Sequence, residues 1–532
     1  MEQGAATMAS TPRLEHLPVK LPYRSLFVVA FAWALAGCAG LPPLDGRTAS
    51  FAPVDTAQTR LGRTIAPLVN AHATLTGVHA LTAGPDAFAA RMMVAAGAER
   101  TLDLQYYIWR TDESGWLLLE RVWRAAERGV RVRLLLDDAT TRGMDETIAA
   151  LDAHPNIEVR LYNPLAIRSQ RGLNALTDFS RLNRRMHNKA LIADNQVMVV
   201  GGRNIGNEYF GAKSGIAFSD LDVLAVGAAV PAVSESFDVF WNSPSAYPAA
   251  LIVAPAAPDS AQMLEARFTE THGDPDAQEY LSLVNETALV QDLAANRLDF
   301  EWAHATVVGD DPAKTLDPAY ATEALLLARV LDVTGRPTTS FDLISPYLVP
   351  GEKGTEALAA MAARGVTIRV LTNSMNANDV LIVHSGYAKR RCDMVRAGIH
   401  LYELKATGGG ERRGGVTASG SGVSSLHAKT FATDQSRIFV GSFNFDLRSA
   451  RLNTELGLVI DSPVLARRLG SFFDVDVPYR AYELRPLEGD QCIEWIERKE
   501  GSEVHTSTEP ETTLWRRVLL NLASLLPIDW LL

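Results

Sequence analysis

A duplicated α/β fold is what the sequence predicts: two α/β/α sandwich domains with mostly parallel sheets, related by a pseudo-twofold. Three observations carry this. The chain repeats itself, since Arg128-Gly-Val-Arg-Val-Arg-Leu-Leu-Leu-Asp137 returns as Arg364-Gly-Val-Thr-Ile-Arg-Val-Leu-Thr-Asn373. Short β-rich runs alternate with helix-period stretches, which is the pattern of βαβ units. With 47% hydrophobic and 21% charged residues, the 532-residue chain can fill several cores, so a mainly disordered polymer is excluded. The repeat period of roughly 240 residues is too long for a solenoid, leaving a duplicated domain.

In chain order, Arg13, Lys20 and Arg24 precede the apolar run Leu26–Leu35, which ends in Ala36-Gly37-Cys38. The run is too short to span a bilayer and small residues follow it, as in a secretory signal. Leu35-Ala36-Gly37-Cys38 resembles a bacterial lipobox, which implies acylation of Cys38 after removal of residues 1–37. Met8 is an alternative start. Residues 38–74, with Leu41-Pro-Pro-Leu-Asp-Gly46, read as a tether. An acylated Cys38 puts the body on the periplasmic side of a membrane, and Ala39 after the cysteine leans towards the outer membrane.

Residues 75–242 read as the first domain. Its strand-like runs are Leu102–Trp109, Arg131–Asp137 and Asn156–Tyr162, with a helix-period stretch at Trp116–Glu127. Residues 243–335, rich in Ala, Pro and Asp, read as a linker or insertion. Residues 336–482 repeat the pattern with Thr339–Tyr347, Glu356–Ala363 and Gly398–Leu404. In the extension 483–532, Leu514, Trp515, Val518, Leu519, Leu522, Leu525 and Leu526 recur at helical spacing beside Arg516 and Arg517. That helix either lies in a lipid interface or packs on the domain.

Several function classes are disfavoured by composition. Net charge is −11, against the basic character expected of a protein that neutralises nucleic-acid backbones, so no nucleic-acid partner is expected. Mean hydropathy is +0.00 and no apolar stretch of about twenty residues recurs, which excludes a multi-span membrane protein. Three cysteines make neither a disulfide scaffold nor a Cys-rich zinc site, and Cys392 and Cys492 read as buried thiols. His72, His79, His154, His272, His304, His400 and His505 lack partners at metal-ligand spacing, so no metal or other cofactor is expected.

Each half closes on one signature. His187-Asn-Lys189-Ala-Leu-Ile-Ala-Asp194 is followed six residues later by Gly201-Gly202-Arg203-Asn204. His427-Ala-Lys429-Thr-Phe-Ala-Thr-Asp434 is followed at the same distance by Gly441-Ser442-Phe443-Asn444. In a strand, residues i and i+2 share a face, so each His stands beside its Lys. An imidazole serves as nucleophile or general acid, and an ammonium beside it grips a phosphate oxygen. The glycine turn lets the backbone approach an anion, and Asn204 and Asn444 add amide donors. Two such sites facing each other put two His and two Lys around one phosphodiester.

The pair of His-x-Lys-x4-Asp motifs resembles the phospholipase D superfamily over about residues 75–480. Leu102–Trp109, Asn183–Lys189, Gly201–Phe210 and Leu525–Asp529 bring it nearest to the bacterial cardiolipin synthases, their C-type branch in particular. The resemblance implies a phosphatidyl transferase acting at a membrane on phospholipid substrates, phosphatidylglycerol with phosphatidylethanolamine as the alternative donor. It implies His187 as nucleophile through a phosphohistidine and His427 as general acid, then base. Lys189, Lys429, Asn204, Asn444 and Ser442 hold the phosphate. Asp220 and Glu455 match the acidic residues that orient the imidazoles, and Asp194 and Asp434 are structural. Gly202 departs from the serine common at its position. Arg168, Arg171, Arg181, Arg184 and Arg185 form either an anion funnel or a solvated run. Thr407–Ser425 is a Gly- and Ser-rich loop, either a lid or an excursion. His384-Ser-Gly-Tyr387 with Arg390 and Arg391 resembles a headgroup-recognition segment. A nuclease of the same superfamily and a non-catalytic phospholipid-binding lipoprotein are the alternative functions.

Overall fold

The computed structural model describes residues 40–526 except 213–216, 296, 318–325, 379, 407–423, 488–491 and 500. Cys38, its signal, most of the Thr407–Ser425 loop and Pro527–Asp529 lie outside the described residues.

Two large sheets organise the chain. The first runs, edge to edge, through Glu301–Ala303, Thr76–Leu81, Asp222–Gly227, Val197–Gly201, Ala190–Ala193, Thr101–Tyr106, Arg131–Asp137, Ile157–Tyr162 and Ala246–Pro248. The second runs through Ala305–Gly309, Leu456–Ile460, Arg437–Gly441, Thr430–Thr433, Ser340–Ile344, Thr367–Asn373, His400–Leu404, Ala481–Pro486, Ile493–Lys499 and Ser502–Thr506. The seven strands from Asp222–Gly227 to Ala246–Pro248 correspond in order to those from Leu456–Ile460 to Ala481–Pro486. This is the duplication the repeat predicts.

The expectation of mostly parallel sheets is corrected. Within the two large sheets only the three strands of each βαβαβ run, Thr101–Tyr106 to Ile157–Tyr162 and Ser340–Ile344 to His400–Leu404, pair in parallel. The other ladders of the two large sheets are antiparallel, because the chain next returns as a hairpin. Asp194 and Asn195 turn the first hairpin with φ of 53° each, and Asp434 and Gln435 turn the second with φ of 51° and 50°. Such turns match the twist of antiparallel strands. Central strands covered on both faces read as unbroken apolar runs whichever way they pair, so the run pattern does not reveal direction.

Among the described residues, three apolar clusters fill the molecule. One lies under the outer helices of the first domain, around Phe88, Leu118 and Val122. A second lies under those of the second domain, around Leu358, Val395 and Trp495. The third is shared: inner residues of both sheets meet the helices Val230–Trp241 and Pro463–Val475 in one continuous core. One buried ion pair repeats with the fold. Arg133 grips Asp103 at 2.7 and 2.8 Å and lies over Phe237, while Arg369 grips Asp342 at 2.6 and 2.7 Å and lies over Phe473.

The segment between the repeats is folded in its described part. Helices Ser260–Gly273, Pro275–Asn285 and Ala288–Ala294 insert Phe268, Tyr280 and Leu289 into the first core. Glu301–Ala303 then joins the first sheet and Ala305–Gly309 the second, with His304 alone between them. Past Ala481–Pro486, two more antiparallel strands, Ile493–Lys499 and Ser502–Thr506, widen the second sheet before the helix Leu514–Ser524.

Cys392 and Cys492 are bonded to each other rather than being separate thiols, with Cα atoms 5.9 Å apart. The helix Arg391–Arg396 and the segment entering Ile493–Lys499 come side by side only in the folded sheet, at a sequence separation of 100. No spacing rule exposes such a pair.

Candidate active site

The two signatures meet where the sheets face each other, at the carboxyl ends of the parallel strands. In each half the last residue of the middle parallel strand holds the residue before the histidine. Asp137 accepts from Met186 N–H at 2.9 Å, and Asn373 exchanges two hydrogen bonds with the Leu426 backbone at 2.8 and 3.0 Å. The halves are also stitched by backbone. His187 N–H donates to Thr454 O at 2.9 Å, and His427 N–H to Ser219 O at 2.8 Å. The strands Ala217–Ser219 and Ser424–Leu426 pair in parallel across the seam.

The carboxylates cross that seam. Glu455, from the second half, takes His187 Nδ1 at 2.8 and 3.1 Å, while Asp220, from the first, takes His427 Nδ1 at 2.5 Å. Burial, opposed by Glu455 and assisted by Lys189 and Lys429, lowers His187 to about 4. Burial together with Lys429, opposed by Asp220, lowers His427 to about 3. Both rings are therefore neutral at neutral pH. With Nδ1–H donating to a carboxylate, each ring keeps its lone pair on Nε2. Burial acts against the charge of both carboxylates, yet His427, Lys429 and Arg203 hold Asp220 well below its usual range, and His187, Lys189 and Ser442 pull Glu455 down.

Lys189 and Lys429 are both buried, and each donates to the carbonyl of its own histidine, Lys189 at 2.6 Å. Burial, with Lys429 nearby, depresses the Lys189 ammonium well below the ordinary lysine range, with Glu455 and Asp220 opposing. Each lysine acts on both histidines, so the four groups surround one small volume. A neutral imidazole bearing a free lone pair beside two ammonium groups can attack a bound phosphate ester, and the other ring can give a proton to it once that ring has itself gained one at Nε2.

Of the residues expected to touch phosphate, Asn204 accepts from Ile108 N–H at 3.1 Å and donates to Tyr209 Oη at 3.0 Å. Asn444 is buried, with its side-chain oxygen unbonded. Ser442 is occupied elsewhere: its hydroxyl donates to Glu455 Oε2 at 2.5 Å and accepts from Leu456 N–H at 3.0 Å. Its one proton is thus spent on orienting the carboxylate of His187. At the matching Gly202, an added Cβ would lie 2.2 Å from Asp220 Oδ1, so glycine is what makes room for the shorter carboxylate there.

Asp194 accepts from the backbone N–H groups of Glu99, Arg100 and Thr101 at 2.7–3.2 Å, and Asp434 does the same for Thr338, Thr339 and Ser340 at 2.7–3.1 Å. Each ties a hairpin turn to the start of the neighbouring strand. At about 3.3 Å per residue, the seven positions from His to Asp place it roughly 20 Å from the chemistry.

The arginine cluster is neither a funnel nor a solvated run. Arg168 pairs with Asp138 at 2.7 Å and with Asp145, Arg181 with Asp178, and Arg185 with Asp137 at 3.3 Å. Arg171 and Arg184 donate to backbone carbonyls of Asp138 and Lys314. The segment read as headgroup recognition also turns inward: His384 and Tyr387 are buried, and Arg391 pairs with Glu509 at 2.5 Å and Glu403 at 3.4 Å.

Sequence reasoning missed the aromatic walls. Tyr107 stands edge-on to His187 at 5.2 Å and carries Lys189 5.7 Å from its ring centre, while Tyr209 and Phe218 pack on His427 at 5.1 Å. It also missed Asp137 and Asn373, although both close the repeated Arg-Gly-Val strand.

A family model described as "Cardiolipin synthase, PLD-like domain" matches residues 94–222 and 331–477, one stretch in each half. The chain belongs to this phospholipase D-like family. Within the family it is 44% identical to cardiolipin synthase C of Escherichia coli over 89% of this chain and all of that one. It is 24% identical to the major cardiolipin synthase of Bacillus subtilis over 81% of this chain and 76% of that protein. Among solved structures, phosphatidylserine synthase of Haemophilus influenzae superposes with a TM-score of 0.54 at 14% identity, covering 88% of this chain and 100% of that one, a likeness of fold.

Proposed function

We propose that the protein is a phosphatidyl transferase that joins two glycerophospholipids into cardiolipin. The observation that carries this reading is the crossed pair of buried imidazole–carboxylate dyads around two lysines, in a chain that matches cardiolipin synthase C over nearly its whole length.

His187 Nε2 attacks the phosphorus of a phosphatidyl donor. The N–P bond forms as the bond to the headgroup oxygen breaks, and His427 Nε2–H gives its proton to the departing alcohol, glycerol from phosphatidylglycerol or ethanolamine from phosphatidylethanolamine. His427 then takes the proton of a phosphatidylglycerol hydroxyl, whose oxygen attacks phosphorus and releases His187. With both lysines protonated, two cations balance Asp220 and Glu455, so an added phosphodiester anion leaves room for one proton, and it raises the imidazole that must carry it. Lys189, Lys429, Asn204 and Asn444 hold the phosphate oxygens. Water replacing the acceptor gives phosphatidic acid.

Cys38 anchors this body outside the cytoplasmic membrane, in the periplasm and on the outer membrane rather than the inner. A Cys392–Cys492 bond suits an oxidising compartment. Acyl label that persisted in Cys38→Ser would end that reading.

The deciding assay uses purified protein in mixed micelles of both lipids, with products followed by mass spectrometry. Cardiolipin from the wild type and none from His187→Ala is the expected result. An alkaline quench of His427→Asn should trap a phosphatidyl adduct on the His187 peptide. An adduct on His427 in the reciprocal variant alone would reverse the roles, and phosphatidic acid as sole product would make the protein a hydrolase.

A further inference from the structure

The helix Leu514–Ser524 is fixed to the body by one narrow side. Leu520 is buried beneath it, Arg516 donates to Asn376 Oδ1 at 2.6 Å and to Met375 O at 3.4 Å, and Lys389 donates to Leu526 O at 3.0 Å. At 100° per residue, Leu514, Trp515, Leu519, Leu522, Leu525 and Leu526 cover one arc on the other side. That arc faces away from the protein: Trp515 is 75% exposed and Leu525 80%. A terminal helix that merely completed its domain would turn this arc inward.

Its position ties it to the active site. Met375 and Asn376 follow the strand Thr367–Asn373, whose last residue holds Leu426 beside His427. Ala377 accepts from Ser425, two residues before His427, at 2.9 Å. The first half exposes its own apolar groups at the corresponding end of its sheet. Leu173, Leu176 and Phe179 stand out from the excursion that joins Ile157–Tyr162 to His187, with Leu176 84% exposed. Both halves thus present apolar side chains on the rim of one site.

We propose that this rim rests on the phospholipid bilayer, with the Leu514–Ser524 arc in the acyl region and Leu173, Leu176 and Phe179 making the second contact. The inference rests on the proposed function, since only a substrate whose acyl chains stay in a bilayer asks the site to face one. Charge favours a lipid surface over a second copy of this chain. Between Leu514 and Leu526 there is no acidic residue, while Arg516 and Arg517 are present in a chain of net charge −11. An anionic bilayer complements an apolar face edged with cations, whereas two such faces would repel.

The test uses the full chain and vesicles of phosphatidylcholine with phosphatidylglycerol. The double variant Leu519→Glu/Leu522→Glu should lose at least about tenfold in turnover of vesicle lipid. It should turn over a short-chain phosphatidylglycerol, supplied as monomers below its micelle concentration, at the wild-type rate. In wild-type protein, phosphatidylcholine brominated on its acyl chains should quench a tryptophan signal that Trp515→Phe removes. Unchanged vesicle turnover in the double variant would overturn the proposal, as would an equal loss on both substrates, or quenching that survives Trp515→Phe. A dimer in sedimentation that the glutamates dissolve, without any Trp515 quenching, would give the face to a second copy. If wild-type protein turned over neither lipid, the proposed function would fail while the quenching still reported on the helix.

Discussion

The two halves of the site carry the same reacting groups on different supports. In the second half Glu455 is steadied by the Ser442 hydroxyl, and Phe443 fills the next position. In the first half Asp220 presses on Gly202, and Arg203 beside it is wholly buried, donating to the carbonyls of Leu81, Thr82, Tyr209 and Asp220 itself. His187 leans on Tyr107, where the repeat places Pro346 in the other half; His427 has Tyr209 and Phe218 instead. Duplication has kept the groups that meet phosphorus and let the braces drift. The lesson is that a carboxylate and its neighbour in the glycine turn form one unit of shape: the shorter acid goes with glycine, the longer with serine.

The strongest test of the equivalence removes the rings. His187→Ala and His427→Ala should each lower turnover by at least about 10⁴-fold, because members of a concerted unit fail singly nearly as badly as together. A surviving rate in one variant would mean that turnover does not need both rings.

Next come the crossed acids. Glu455→Gln and Asp220→Asn keep their size but lose the charge that fixes the imidazole tautomer, and each should cost roughly 10²–10⁴-fold in kcat. Glu455→Gln should slow formation of the adduct on His187, in the opposite half. Quench-flow with a labelled donor reads this, and an adduct forming at the wild-type rate would refute the crossing.

A smaller effect probes the braces. Gly202→Ser puts an atom against the Asp220 carboxylate and should cost about 1–3 kcal/mol of stability, with reduced turnover. Combining it with Asp220→Glu recreates the arrangement of the second half and should restore much of both. Denaturation midpoints and initial rates measure it, and a double variant worse than either single one would break the rule of paired shape.

The mildest expectation concerns pH. Both histidines lie below their ordinary value of 6.5 in the folded chain, His187 at about 4 and His427 at about 3. Between pH 6.5 and about 4 the unfolded chain therefore binds protons that the folded chain refuses, so stability falls on acidification through that window. The His187→Ala/His427→Ala chain should show a flatter fall in its urea midpoint over the same range.

Much of this was legible in the residues. The duplication and the His and Lys positions follow from repeat spacing and strand geometry, while Asp220 and Glu455 as histidine partners and the structural part of Asp194 and Asp434 came with the family resemblance of the two motifs. The crossing was not legible, because a spacing of about thirty residues is the same whether a carboxylate serves its own histidine or the other one. Strand direction was missed although the turns Asp194-Asn195 and Asp434-Gln435 signalled it. The arginines before His187 look like an anion patch in one dimension, since their aspartate partners Asp137, Asp138 and Asp145 lie far back in the chain.

The passage of the chain through His304 has a kinetic meaning. One residue separates a strand of the first sheet from a strand of the second, and its carbonyl is pinned by Asp461 N–H at 2.9 Å. Domains that open like a clam need slack at their join, and this join has none. The two halves that share the crossed histidine–carboxylate pairs are therefore tied at this edge of both sheets, so substrate exchange should proceed without the halves parting.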